Sequence, residues 1–176
     1  MYDISYSIGW FRAHRRSVGK LETHEAHQLH DQGKLYTVVA SEADRTLALM
    51  EIRLEVACVG VMFLDEKRRV VLSWTFSALG LDGRQAPRGT CFLTSVVGRQ
   101  FDDDTDKAAF GTSYDYGFDG TCQVIRENLR TRERAESQHH VDVSAHWEAL
   151  PAFGCYEPFL RRERWTPIDV ARSSDG

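Results

Sequence analysis

The chain has 176 residues, 42% of them hydrophobic and 27% charged, with a formal net charge of -4 and a pI near 6.0. That much apolar residue suffices for one packed core of ordinary size, while the acidic balance argues against general attraction to phosphate backbones or anionic lipid. The longest apolar run, Val56–Leu64, falls far short of the roughly 20 residues that cross a bilayer. One domain is expected over residues 1–170, with 171–176 as a disordered C-terminal tail.

In chain order, Asp3–Phe11 reads as a strand with Ile4, Tyr6 and Ile8 on one face. The basic residues that follow come after the apolar ones, the reverse of a secretory signal. Leu21–Gln32 reads as a helix that Gly33 ends in a left-handed C-cap. A strand is expected at Lys34–Ala40. From Met50 to Val56 apolar and charged residues alternate strictly, as on a half-buried strand; this strand is read as running on to Leu64. The cluster Asp65–Arg68 then turns the chain, and Val70, Leu72, Trp74 and Phe76 resume the alternation, giving a long antiparallel hairpin. Further strands are read at Cys91–Val97 and Val141–Trp147, a hairpin with a charged tip at Gln123–Gln138, and a short helix from Pro158. The fold class is therefore α+β, predominantly antiparallel β-sheet with a few short helices in a single domain.

Four cysteines, Cys58, Cys91, Cys122 and Cys155, stand about thirty residues apart with no close pair. Free, mostly buried thiols and a cytoplasmic location are expected from that spacing and from the missing signal, with two disulfides as the alternative. Arginine outnumbers lysine 18 to 4, a bias read as that of a GC-rich genome.

Motifs for chemistry are incomplete. His24, His27 and His30 lie three apart, so the outer two are turned some 240° from each other on a helix and cannot share a metal; a solvated helix face is expected. Asp102, Asp103, Asp104 and Asp106 resemble the start of a calcium loop, but Lys107 stands where glycine is needed and Ser113 where a bidentate glutamate is needed. Phe118–Thr121 has the tail of an aspartyl phosphatase motif without its nucleophile, since Gly117 occupies that position. There is no Gly-rich phosphate loop, nucleophile elbow or His-Glu-x-x-His. The chain is accordingly read as no enzyme, with no cofactor and no metal.

Two segments instead suit recognition of a macromolecule. Trp10, Phe11 and Arg12 set aromatics against a basic cluster that continues through Arg16, and Trp and Arg are enriched at interface hot spots. Asp102, Asp103 and Asp104 form an acidic loop, followed by Tyr114, Asp115, Tyr116 and Asp119 among glycines. Rigid aromatics amid adaptable turn residues favour binding; equally, Tyr116 and Phe118 can simply cover the end of the sheet. Two other readings stand beside this one. One is a small enzyme or ligand-binding domain with a pocket of dispersed residues such as His146, Glu148, Tyr114 and Asp119. The other is a nucleic-acid-binding regulator using Arg12–Arg16 and Arg126–Arg134, which conflicts with the net charge.

Across its length the chain resembles the bacterial immunity factors, in particular the immunity factor of the tuberculosis necrotizing toxin. The resemblance rests on DISYSIGWF (Asp3–Phe11), VVLSWTFSALGLDG (Val70–Gly83), the acidic loop, the arginine bias and the absent catalytic kit. It implies a cognate secreted NAD-glycohydrolase toxin as partner, held 1:1 with its NAD pocket blocked, and an antitoxin that needs no cofactor itself. It assigns no individual contact residue.

Overall fold

The computed structural model describes residues 2–43, 45–102 and 105–162. Asp103, Asp104 and the tail 171–176 lie outside the described residues. Antiparallel strands dominate: β1 (Asp3–Phe11), β2 (Arg16–Leu21), β3 (Tyr36–Glu42), β4 (Arg45–Arg53), β5 (Cys58–Leu64), β6 (Val70–Ser77), β7 (Thr90–Phe101), β8 (Ala108–Tyr116), β9 (Thr121–Asn128), β10 (Glu133–His140) and β11 (Trp147–Ala149). Two α-helices join them among the described residues, α1 (Thr23–Asp31) and α2 (Glu157–Leu160). The architecture is thus more nearly all-β than the expected α+β, although the antiparallel sheet and the short helices agree with that expectation.

From β3 to β10 every strand pairs with its successor. The β1–β2 hairpin completes the order at the other end, with β1 antiparallel to β3 and β2 at the edge. β11 pairs with the start of β7, Trp147 opposite Phe92, where β8 has already diverged, its last pair with β7 being Ser95–Asp115.

Period-2 alternation puts Val38, Ala40, Met50, Ile52, Val59, Val61, Phe63, Leu72, Trp74 and Phe76 on one face, where they form the main core with Ala26 of α1 and Phe159 and Leu160 of α2. Trp74 is at its centre, edge-on to Phe63 at 4.7 Å, and burying a large side chain of this kind contributes about 1.5–3 kcal/mol. The residues between them on the opposite face, Val39, Leu49, Met62 and Leu64, form a second cluster covered by Trp10 and Val70. Burial on both faces is why β5 reads as an unbroken apolar run.

Two strand assignments from sequence change. The single strand expected from Met50 to Leu64 is two strands, because a 3-10 turn at Leu54–Val56 reverses the chain. The Ala57 amide donates to the Leu54 carbonyl at 3.0 Å to close that turn. The alternation is real as far as Ile52, and Leu54 and Val56 continue it only in sequence. The strand expected at Val141–Trp147 is a loop with a 3-10 turn at Ser144–His146, and only Trp147 enters β11. The C-cap of α1 is as expected: Gly33 has φ +71°, and an added Cβ would meet the Glu55 amide nitrogen at 2.9 Å. Glycine is needed there twice over, since its own carbonyl accepts the Glu55 N–H and joins the helix end to the β4–β5 turn.

Candidate partner-binding surface

The β1–β2 hairpin runs past the end of β3. Ser7 opposite Thr37 is the last β1–β3 pair, whereas β1 and β2 stay paired to Phe11–Arg16. Beyond Ser7 the hairpin lies over the second face of the sheet. Trp10 packs on Val39, Leu49, Met62 and Leu64, and the Arg12 guanidinium reaches the Met62 Sδ at 3.8 Å. At the turn, Arg15 donates to the Lys67 carbonyl at 2.8 Å and pairs with Asp106 at 2.5 Å. The aromatic–basic segment and the acidic loop, some ninety residues apart in sequence, therefore touch in space.

The two described carboxylates of the acidic loop, Asp102 and Asp106, are paired within the chain. Asp102 pairs with Arg130, and the Arg69 guanidinium donates to the Asp102 and Thr105 carbonyls at 3.1 and 2.8 Å. Arg69 also pairs with Asp65 at 2.7 Å and lies 4.5 Å from the Phe101 ring centroid. The Arg15 hydrogen bond holds the Asp106 carboxyl below the usual carboxylate range. The mutual repulsion of neighbouring carboxylates is thus relieved by arginines of the same molecule.

The other residues singled out from sequence do not join this surface. Tyr114 and Tyr116 are buried, at 2% and 3% exposure, inside the main core, so they cover the sheet interior. Asp115 alternates to the opposite face between Ser95 and Gln123. Asp119 accepts the Thr121 amide at 3.0 Å in the β8–β9 turn, a hydrogen bond that keeps its carboxyl below the usual range. That turn and the acidic loop sit at opposite ends of nine-residue β8, roughly 25 Å apart along the strand. Thus Trp10, Phe11, Arg12 and Asp102 lie in one region, while the Ser113–Gly120 stretch is a strand end and a tight turn.

Sequence reasoning missed the apolar exposure of the hairpin. Ile8 is 58% exposed, Val18 47% and Phe11 44%, with Ile4 at 37%. By alternation Ile4 and Ile8 project to one side of the hairpin and Phe11 and Val18 to the other. The strand character of Arg16–Leu21 was the missing signal, because RSVGKL lacks an apolar alternation.

His24 and His27 are exposed, as expected of a solvated helix face, whereas His30 is partly withdrawn. His27 stacks on Phe153 at 4.5 Å, and His30 Nδ1 is 2.9 Å from the Tyr36 hydroxyl. They face an aromatic cluster of Tyr6, Tyr36, Phe153 and Tyr156 and not solvent alone. Burial lowers the His30 pKa and pushes Tyr36 up to about 12. No group of three or more His, Cys, Asp or Glu suited to a metal occurs among the described residues. No disulfide joins the four cysteines, of which Cys91 and Cys122 are buried, Cys58 half-buried and Cys155 exposed; burial pushes Cys122 up to about 11.

The dispersed polar set is held by structural contacts. His146 stands edge-on to Tyr116 at 4.5 Å and Glu148 pairs with Arg161 at 3.1 Å. The second arginine-rich segment is partly occupied as well, Arg134 pairing with Glu136 at 2.8 Å and with Glu127 at 3.7 Å.

No known protein family, curated protein or solved structure matches this chain. Among the described residues no helix is long and apolar enough to cross a membrane.

Proposed function

We propose that this chain is an immunity protein that binds a secreted NAD-glycohydrolase toxin and blocks its NAD pocket, using the β1–β2 hairpin as the principal contact. The observation that carries the reading is the hairpin itself. It is a protruding edge element with Ile8, Phe11 and Val18 exposed on its two sides and with Arg12 and Arg16 at its tip. Apolar and arginine side chains together are what the buried centre of a protein interface uses. A hairpin can enter a concave site, and a plug of this kind withholds substrate without chemistry of its own. The acidic loop serves this reading as a support for the hairpin turn, through the pair of Arg15 with Asp106.

The test is a titration of an NAD-glycohydrolase toxin domain of this type with the purified chain, following NAD loss. Complete inhibition near one equivalent is expected. Undiminished turnover at large molar excess would reject this toxin class as the partner.

A further inference from the structure

We propose that the cleft between the β1–β2 turn and the second face of β5–β7 is a binding site for a phosphate group carried on a small organic molecule. Its inner part is lined by Arg12, Met62, Val70, Ser73, Arg99 and Phe101 and has a volume of about 230 Å³. It continues past Arg12, Met62 and Ser73 into a second compartment of about 330 Å³ that ends at Leu35, Glu51, Arg53, Val56 and Cys58, where Arg53 is matched by Glu55 at 3.9 Å. The second compartment alone is within the size range of small-ligand sites.

Two guanidiniums enter the inner part from different elements, Arg12 from the hairpin turn and Arg99 from β7. Two neighbouring arginines are matched by carboxylates, Arg15 by Asp106 and Arg69 by Asp65. Among the described residues neither Arg12 nor Arg99 has one within ion-pair distance. Arg99 is partly withdrawn from water and feels the charge of Arg12, and both effects disfavour its charged form. Guanidinium stays charged at neutral pH all the same. Two like charges therefore face one cleft, and a bound dianion relieves both desolvation and repulsion.

A phosphate monoester fits better than one carboxylate. It carries close to two negative charges at pH 7, matching the two arginines, and its three terminal oxygens suit two planar donor forks plus the Ser73 hydroxyl. The apolar wall of Leu35, Val56 and Met62 then covers the organic body, and the Glu51 carboxylate at the far end can accept a hydrogen bond from a ligand hydroxyl or amine. This site does not depend on the immunity reading, and its test contains no toxin.

Calorimetric titration of the full chain with inorganic phosphate and with ribose 5-phosphate, at low and constant ionic strength, tests the assignment, with succinate as the dicarboxylate comparison. Saturable binding is expected with a Kd of about 1 mM or below, tighter for the sugar phosphate, and weakened at least about tenfold by R99Q and by R12Q. R134Q, which alters the charged edge strand β10, is expected to leave the affinity unchanged. Arg12 is exposed, so R12Q keeps the test valid if R99Q proves unstable. No saturation by about 20 mM, equal affinity in R12Q, or succinate binding as tightly as phosphate would each overturn the proposal; the last outcome assigns the pair to a carboxylate instead.

Discussion

β2 and β10 each end the sheet with one side of the backbone open to a further strand, yet they are furnished differently. β10 carries Glu133, Arg134 and Glu136, with Arg134 paired both along the strand and across to Glu127. Charge of this density discourages edge-to-edge pairing. β2 sits beside Ile8 and Phe11 and exposes Val18 among Arg16 and Lys20. Its hairpin is also fixed from beneath by Trp10 and at its turn by Arg15. One edge is protected against association by its side chains; the other is braced and left apolar. A site meant for a partner needs both properties, since a braced element loses less conformational freedom on binding.

The largest way to break the contrast is to remove the brace. Trp10→Ala should cost about 2–3 kcal/mol, somewhat less than a fully buried Trp, and should speed amide exchange in the outer half of β1–β2 without altering β9–β10. Equal loss of protection at both edges would show that the hairpin is not separately anchored. Next, the double variant Ile8→Asp, Phe11→Asp should weaken toxin binding by about 2 kcal/mol or more, roughly thirtyfold, measured by inhibition titration. Its melting temperature should change little, because both side chains are exposed already. Glu136→Lys on β10 is the matched change at the other edge and should leave the titration as it was.

A smaller effect is expected from Gly19→Ala, about 1 kcal/mol in denaturant unfolding. Gly19 has φ +65°, and an added Cβ would stand 2.6 Å from Ile8 Cδ1, so the substitution strains the backbone and displaces an exposed apolar contact together. If Gly19→Ala is neutral, the hairpin is softer than its pairing implies. The smallest is a pH effect away from both edges. Burial holds the His30 pKa below its ordinary value, about 6.5 in an unfolded chain, so on acidification the unfolded state takes the proton first. Stability contributed by neutral His30 is present above pH ~6.5 and is lost as pH falls through the lower, folded value. His30→Gln should flatten that part of a melting-temperature profile between pH 7 and 5, with the hairpin variants unaffected in slope.

The strands that alternate cleanly were legible in the sequence. Asp3–Phe11 is β1, the Val70–Phe76 alternation is β6, and the Gln123–Gln138 hairpin with its charged tip is β9 and β10. The end of α1 at Gly33 was legible too, since a positive φ is what glycine permits. What failed was where continuity of pattern hid a change of direction. Leu54 and Val56 keep the apolar rhythm through a 3-10 turn, which side-chain periodicity does not register. β8 failed for another reason: AAFGTSYDY mixes glycine, serine and aspartate with aromatics, and only its place between β7 and β9 makes Tyr114 and Tyr116 core residues. For the candidate site, residue types alone singled out Trp10–Arg16, but the ion pair of Arg15 with Asp106 depends on a fold that brings two distant turns together. The exposure of Ile8 and Val18 likewise follows from β2 being the last strand, which no local pattern encodes.

The ordering of the sheet also sets the order in which the chain can assemble. From β3 to β10 each strand meets its successor across a turn or a modest loop, so these pairings are local and close quickly. The first two strands precede these in the chain and must wait for β3 before β1 gains its second neighbour, and for β5 before Trp10 has its full cover. Late in the chain come the short β11 segment, which reaches back to β7 over three intervening strands, and α2, whose Phe159 meets Phe76 of β6. A nascent chain therefore carries the apolar hairpin uncovered until β5 is made, and chaperone contact during synthesis is expected there early.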